Sequence, residues 1–148
     1  MQVATPYLKP LPDITDQNRP FWDALKERRF VVPRCDNCGD YNWVPYPACR
    51  TCLSEAQSWV EVSGEATIYS YTVVHRGPGV FQDDVPYVIA LAQLVERPRP
   101  MLVMGNVVGT DPGAVSIGQP VRIGYHDIPG EDVTLWHFVP ADAGVEHP

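Results

Sequence analysis

The chain has 148 residues, 45% apolar and 20% charged, with a net charge of −7 at pH 7, which suits one medium domain or a small metal-stapled module beside a domain of about 100 residues. No apolar run approaches the roughly 18 residues of a membrane span, and the opening Met-Gln-Val-Ala-Thr-Pro lacks the features of a signal peptide; the expectation is a cytoplasmic protein. Residues 1–54 carry seven Lys/Arg against six Asp/Glu, and residues 55–148 four against twelve, a balance in the second part that repels a phosphate backbone and argues against nucleic acid as a partner.

Residues 1–13 are punctuated by Pro6, Pro10 and Pro12 and read as an extended arm. From Asp16, a candidate N-cap, the pattern turns helical to about Arg29, with Pro20 near the first turn and Phe21, Trp22 and Leu25 at helical spacing. A helix this short cannot bury both faces of two adjacent aromatics by itself. Phe21, Trp22 and Leu25 therefore either complete the core of the module that follows or dock on a partner protein.

The four cysteines fall in one stretch as two Cys-x-x-Cys pairs, Cys35/Cys38 and Cys49/Cys52. Each pair sets two sulfurs on one side of a tight turn, and two such turns facing each other make a tetrahedral thiolate cage. Phe30 to Arg34 reads as a strand entering the first turn and Trp43-Val44-Pro45 as one between the turns, a rubredoxin-like metal ribbon over 30–55. Four thiolates suit zinc and iron alike. With all four positions filled by protein, such a centre has no open site for a substrate.

After Glu55 the texture is β. Candidate strands cover 57–62, 66–74, 87–95, 101–108, 120–126 and 133–139, rich in Val, Ile, Tyr and Thr and separated by turn residues. Gly64 is read as a bend joining the first two runs into one curved strand. The result is a five-stranded antiparallel barrel of the OB type over 56–140, with a flexible tail at 141–148. The fold class is thus mainly β: arm and helix over 1–29, ribbon, then barrel.

The longest loop of the barrel runs from His75 to Pro86 and carries Arg76 and Phe81 among glycines and prolines. It is either a binding loop or an ordinary hairpin excursion. His75, His126, His137 and His147 are scattered. His126 and His137 lie in expected strands, where a catalytic acid–base pair competes with hydrogen-bonded structure. There is no phosphate-binding glycine motif, no nucleophile elbow and no His-Glu-x-x-His. A second class of function is a single-stranded nucleic-acid binder using Tyr69, Tyr71, Tyr87 and Trp136 as stacking platforms, against which the acidic balance weighs.

The order of parts is specific: Pro20-Phe21-Trp22, then Arg34-Cys35-x-x-Cys38-Gly39, Cys49-x-x-Cys52, and the run from Thr67 to Arg76, Thr-Ile-Tyr-Ser-Tyr-Thr-Val-Val-His-Arg, followed by Val85-Pro86-Tyr87-Val88 and Ile117-Gly118-x-Pro120-Val121. Over residues 8–140 this resembles the family called domain of unknown function 35, a rubredoxin-like zinc ribbon joined to an acyl-CoA-associated OB-fold. The resemblance implies zinc on the four cysteines. It also implies a non-catalytic subunit in a hetero-oligomer with a thiolase-superfamily enzyme, a thiolase or a retro-aldolase that shortens steroid side chains as CoA thioesters. By the same similarity the Phe21–Trp22 helix and the ribbon would face the partner, and His75, Arg76 and Phe81 would lie nearest the acyl-CoA.

Overall fold

The computed structural model describes residues 6–142; the expected tail therefore falls outside the described residues from 143 onward, as does His147. The chain divides into two compact units. One holds the ribbon together with Glu96–Met101 and Tyr125–Trp136; the other holds Gly64–Val95, Leu102–Gly124 and the chain from His137.

In the first unit, helix α1 spans Arg19–Lys26. Its N-cap is Asn18 rather than Asp16, with no side-chain bond to the helix N–H groups; the Asn18 side chain instead holds the preceding turn, Oδ1 accepting from the Thr15 N–H at 2.8 Å and Nδ2 donating to the Asp13 carbonyl at 3.0 Å. Phe21, Ala24 and Leu25 recur at i, i+3 and i+4 and are buried. The helix ends in a Schellman-type closure, Arg29 N–H to the Ala24 carbonyl and Arg28 N–H to the Leu25 carbonyl, both at 3.0 Å. Arg28 occupies the left-handed position, φ 60°, that usually takes glycine. Its guanidinium makes a two-pronged bond to the Asp127 carboxylate at 2.8 and 2.9 Å.

Strand β1 (Val31–Cys35) pairs antiparallel with β2 (Gln57–Glu61), with Val31 opposite Glu61 and Cys35 opposite Gln57. Two expectations change here. Residues 43–45 do not form a strand: Tyr41 makes a single bridge to Arg34, and β1 takes β2 as its ladder partner. The 57–62 run likewise does not continue into the barrel. Gly64, at φ 79°, turns the chain out of β2, and a Cβ there would meet Ile123 at 3.5 Å.

The core of this unit is aromatic. Phe21 lies at ring-centroid distances of 5.2–5.4 Å from Trp22, Phe30, Trp43 and Trp136, edge-on or tilted. Such geometries put the positive ring edge on a neighbour's negative face.

The second unit carries most of a five-stranded closed barrel, in order β3-β4-β5-β7-β6. The strands are β3 (Glu65–Val74), β4 (Tyr87–Leu94), β5 (Leu102–Val107), β6 (Pro120–Asp127) and β7 (Thr134–Pro140). The fold is mainly β, with the short N-terminal helix, the cysteine ribbon and the OB-type barrel expected. β4 alternates half-buried and buried without a break, which places Val88, Ala90, Ala92 and Leu94 inside. Ile68, Val103, Val121 and Phe138 are likewise nearly or fully buried. Each larger one contributes about 1.5–3 kcal/mol by leaving water. The register slips between Ile68 and Ser70, so the bulge sits at Tyr69, which is left 58% exposed. No helix among the described residues is long and apolar enough to cross a membrane.

Candidate metal centre

The two cysteine turns are built on one plan. In the first, the Cys35 N–H donates to the Asp40 carbonyl at 2.8 Å and the Gly39 N–H to the Cys35 carbonyl at 2.9 Å; in the second, Cys49 N–H to Ser54 and Leu53 N–H to Cys49 repeat both bonds at the same lengths. Gly39 (φ 77°) and Leu53 (φ 63°) hold the same left-handed place in the two turns. Leu53 accepts a conformation that costs a side chain about 1–2 kcal/mol while remaining 77% exposed.

These turns bring the four sulfurs within 4.8 Å of one another, with Cys35 and Cys52 at 3.5 Å and Cys38 and Cys49 at 3.6 Å. A disulfide would need about 2.05 Å, whereas a tetrahedron of thiolates on metal–sulfur bonds of about 2.3 Å has edges near 3.8 Å. The donor set and its spacing fit a divalent metal of the zinc or iron kind. Cys35 and Cys49 are buried, Cys52 is half-buried and Cys38 is exposed. Sulfur charge is met by N–H groups: Cys38 N–H on Cys35 at 3.5 Å, Thr51 N–H on Cys49 at 3.4 Å and Asn37 Nδ2 on Cys52 at 3.5 Å.

Without a metal the thiols divide the charge between them. Cys49 is pulled down to about 6, first by the Cys52 backbone N–H and then by that of Thr51 against the pull of desolvation. The Asn37 amide lowers Cys52. The backbone bond at Asp40 also works to lower Cys38, but desolvation and the three facing sulfurs outweigh it and push this thiol up to about 12. A bound cation would turn all four into thiolates and release the remaining protons.

The other residues singled out in the sequence lie elsewhere. Phe21 and Leu25 are 3% and 0% exposed, within the aromatic core, and Trp22 is half-buried beside Trp136 at 6.0 Å. His75 and Arg76 are exposed, and Phe81 tilts against Tyr87 at 6.4 Å. The loop that holds them contains a 3-10 turn, Gly79–Asp84, and closes so tightly that a Cβ on Gly77 would run into the Phe81 backbone. His137 lies with its Nε2 against Gly124, where a Cβ would approach to 2.5 Å. His126 is exposed; desolvation lowers its pKa, assisted by Lys9 and Arg28 and opposed by Asp127. Among the described residues the four cysteines form the one cluster with metal-ligand spacing. The residues that shape that cluster from outside, Asn37, Asp40, Asn42 and Thr51, went unassigned in the sequence reading, although polar side chains inside and between two cysteine turns are the signal that would find them.

Two family models match, the ChsH2 rubredoxin-like zinc ribbon domain over residues 22–56 and the ChsH2 C-terminal OB-fold domain over residues 59–126. A solved chain described as Ltp2-ChsH2(DUF35) aldolase superposes with a TM-score of 0.78 at 35% identity, covering 88% of this chain and 99% of that one. The chain belongs to the DUF35 family. A DUF35 domain-containing scaffold protein of Methanocaldococcus jannaschii is 34% identical over 68% of this chain and 71% of its own length. The 3-oxo-4,17-pregnadiene-20-carboxyl-CoA hydratase alpha subunit of Mycobacterium tuberculosis is 37% identical over 78% of this chain and 36% of its own. The DUF35 chain thus spans well under half the length of the curated hydratase subunits it matches.

Proposed function

We propose that this DUF35 protein is a non-catalytic accessory subunit that binds and stabilises a thiolase-like enzyme, a thiolase or retro-aldolase, acting on acyl-CoA thioesters, and helps to shape the acyl-CoA site. The observation that carries the reading is the likeness, along nearly the whole of that chain, to a DUF35 chain described together with an Ltp2 aldolase. The name scaffold on a second relative points the same way, and the steroid-like CoA ester in the name of the third supports steroid side-chain thioesters as the substrate class. The hydration named for that longer protein is not carried over, because the DUF35 chain spans 36% of it.

The site chemistry agrees with an accessory role. Four cysteines fill all four positions of a tetrahedral centre, so the metal, which we take to be zinc, supplies cross-linking rather than a Lewis acid. The exposed His75 and Arg76, with Phe81 against Tyr87, form the stretch we assign to the acyl-CoA, with further cations for its phosphates coming from the partner. Phe21 and Leu25 anchor the helix, and Trp22 offers its exposed part to the partner surface. The assembly is a cytoplasmic hetero-oligomer.

Co-expression tests this. A tagged DUF35 chain should retain, through size-exclusion chromatography, an enzyme of the thiolase superfamily, and Trp22→Ala should weaken that retention. A tagged chain that elutes alone from its native organism's extract, or with an enzyme of another superfamily, contradicts the proposal.

A further inference from the structure

Asp40 lies two residues beyond Cys38 and is 7% exposed. A buried carboxylate beside thiolates is disfavoured by desolvation and by like charge, so its donors explain its presence. Its Oδ2 accepts from Thr51 Oγ1 at 2.6 Å and pairs with Arg99 Nε at 3.3 Å. Its carbonyl accepts from the Cys35 N–H at 2.8 Å and from Asn42 Nδ2 at 3.4 Å. Asn42, 2% exposed, in turn accepts from the Arg50 N–H at 3.0 Å. One residue is thus bonded to Cys35 in the first cysteine turn and to Thr51, between the ligands Cys49 and Cys52, in the second.

We propose that Asp40 is a positioning residue of the metal centre: its carboxylate ties the Cys49–Cys52 turn to the Cys35–Cys38 turn, holds the four sulfurs at ligand spacing and slows metal release. The inference rests on the reading of the cluster as a metal centre. For an ion to leave, a thiolate must swing away, and the second turn cannot open widely while the Thr51 hydroxyl stays on Asp40. Thr51 itself is exposed, so its bond serves the turn rather than a hydrophobic core.

The test uses the full chain loaded with zinc and a chromophoric chelator in excess, with release followed in time. Asp40→Ala and Thr51→Val should each speed release by roughly tenfold to a hundredfold, the weight of a hydrogen bond to a charged group. Asp40→Asn keeps an acceptor for Thr51 but loses the charge and the Arg99 ion pair, and should fall between wild type and Asp40→Ala, about threefold to tenfold faster than wild type. With cobalt(II) in place of zinc, the ligand-field bands should move in Asp40→Ala and hold in Asp40→Asn, which general destabilisation would not produce. Wild-type release rates in both Asp40→Ala and Thr51→Val overturn the proposal, as does release from Asp40→Asn as fast as from Asp40→Ala. A wild-type chain that takes up no metal overturns the metal-centre reading with it, whereas tight metal binding unaffected by Asp40→Ala overturns the brace alone.

Discussion

Replacing Phe30 with alanine should remove more stability than any surface change in the ribbon unit. Phe30 is 1% exposed, with its ring at 5.2 Å from Phe21 and Trp43 and 5.8 Å from Trp136. Its carbonyl accepts from the Val62 N–H at 2.9 Å, a bond the substitution spares, so the loss comes from the side chain. Truncating a buried phenylalanine costs about 3–5 kcal/mol. The aromatic pair terms, about 0.5–1.5 kcal/mol each, are already part of that loss and are not added to it. Against a total of about 5–15 kcal/mol for a protein of this kind, the variant keeps a folded state with a melting temperature lower by roughly 10 °C. Urea unfolding followed by tryptophan fluorescence reads the change, since Trp43 and Trp136 adjoin the missing ring. Metal must be saturating in both proteins, because an ion that binds only the folded state adds to its stability. A loss below about 1 kcal/mol at unchanged urea slope would refute the assignment of Phe30 to the centre of the unit's core.

Cys35→Ala should abolish metal uptake and unfold the ribbon, because structural metal binding is itself folding free energy, on the order of 10 kcal/mol; one metal per chain by elemental analysis with native complex formation would contradict this. Arg28 hydrogen bonds, and next the Thr134 hydroxyl, hold the Asp127 carboxyl well below the usual carboxylate range. Its folded-state pKa lies below its unfolded one, so this stabilisation is present above about pH 4 and is lost as pH falls from there through the folded value. Asp127→Asn should flatten that part of the acid limb of a stability–pH curve, and an unchanged slope would count against a stabilising Arg28–Asp127 pair. Gly77→Ala forces the Phe81 backbone to move and should alter the near-ultraviolet signal of the Phe81–Tyr87 pair. Stability should fall by about 1–3 kcal/mol, while the KM of the assembled enzyme for acyl-CoA rises; an unaltered KM would remove the loop from the substrate site.

The cysteine cluster and most of the strands were legible for local reasons. Two Cys-x-x-Cys turns need no tertiary context, and the β4 run Tyr-Val-Ile-Ala-Leu-Ala-Gln-Leu is rich in strand-forming residues between Pro86 and the turn chemistry of Arg97-Pro98. What failed was set by competition between partners. Asp16 and Asn18 are both acceptable cap types, and the helix begins after Asn18, whose amide fixes the preceding turn through Thr15 and Asp13 instead of bonding the helix. The 57–62 run has the composition of a barrel strand, yet β1 offers it a complete ladder before Gly64 turns the chain. Trp43 has strand propensity but is drawn into the aromatic core beside Phe21 and Phe30. Asp40 was invisible because its role depends on Thr51, Arg99 and Cys35 arriving around it.

In the proposed assembly the chemistry resides in another polypeptide, which this chain supports. Titrating the purified DUF35 chain into its purified thiolase-like partner, with cleavage or condensation of a steroid side-chain acyl-CoA as readout, addresses it most directly. Activity should be absent or slight in either protein alone and rise to a plateau at a fixed stoichiometry. Full activity of the partner alone, or turnover by the DUF35 chain by itself, would contradict the account.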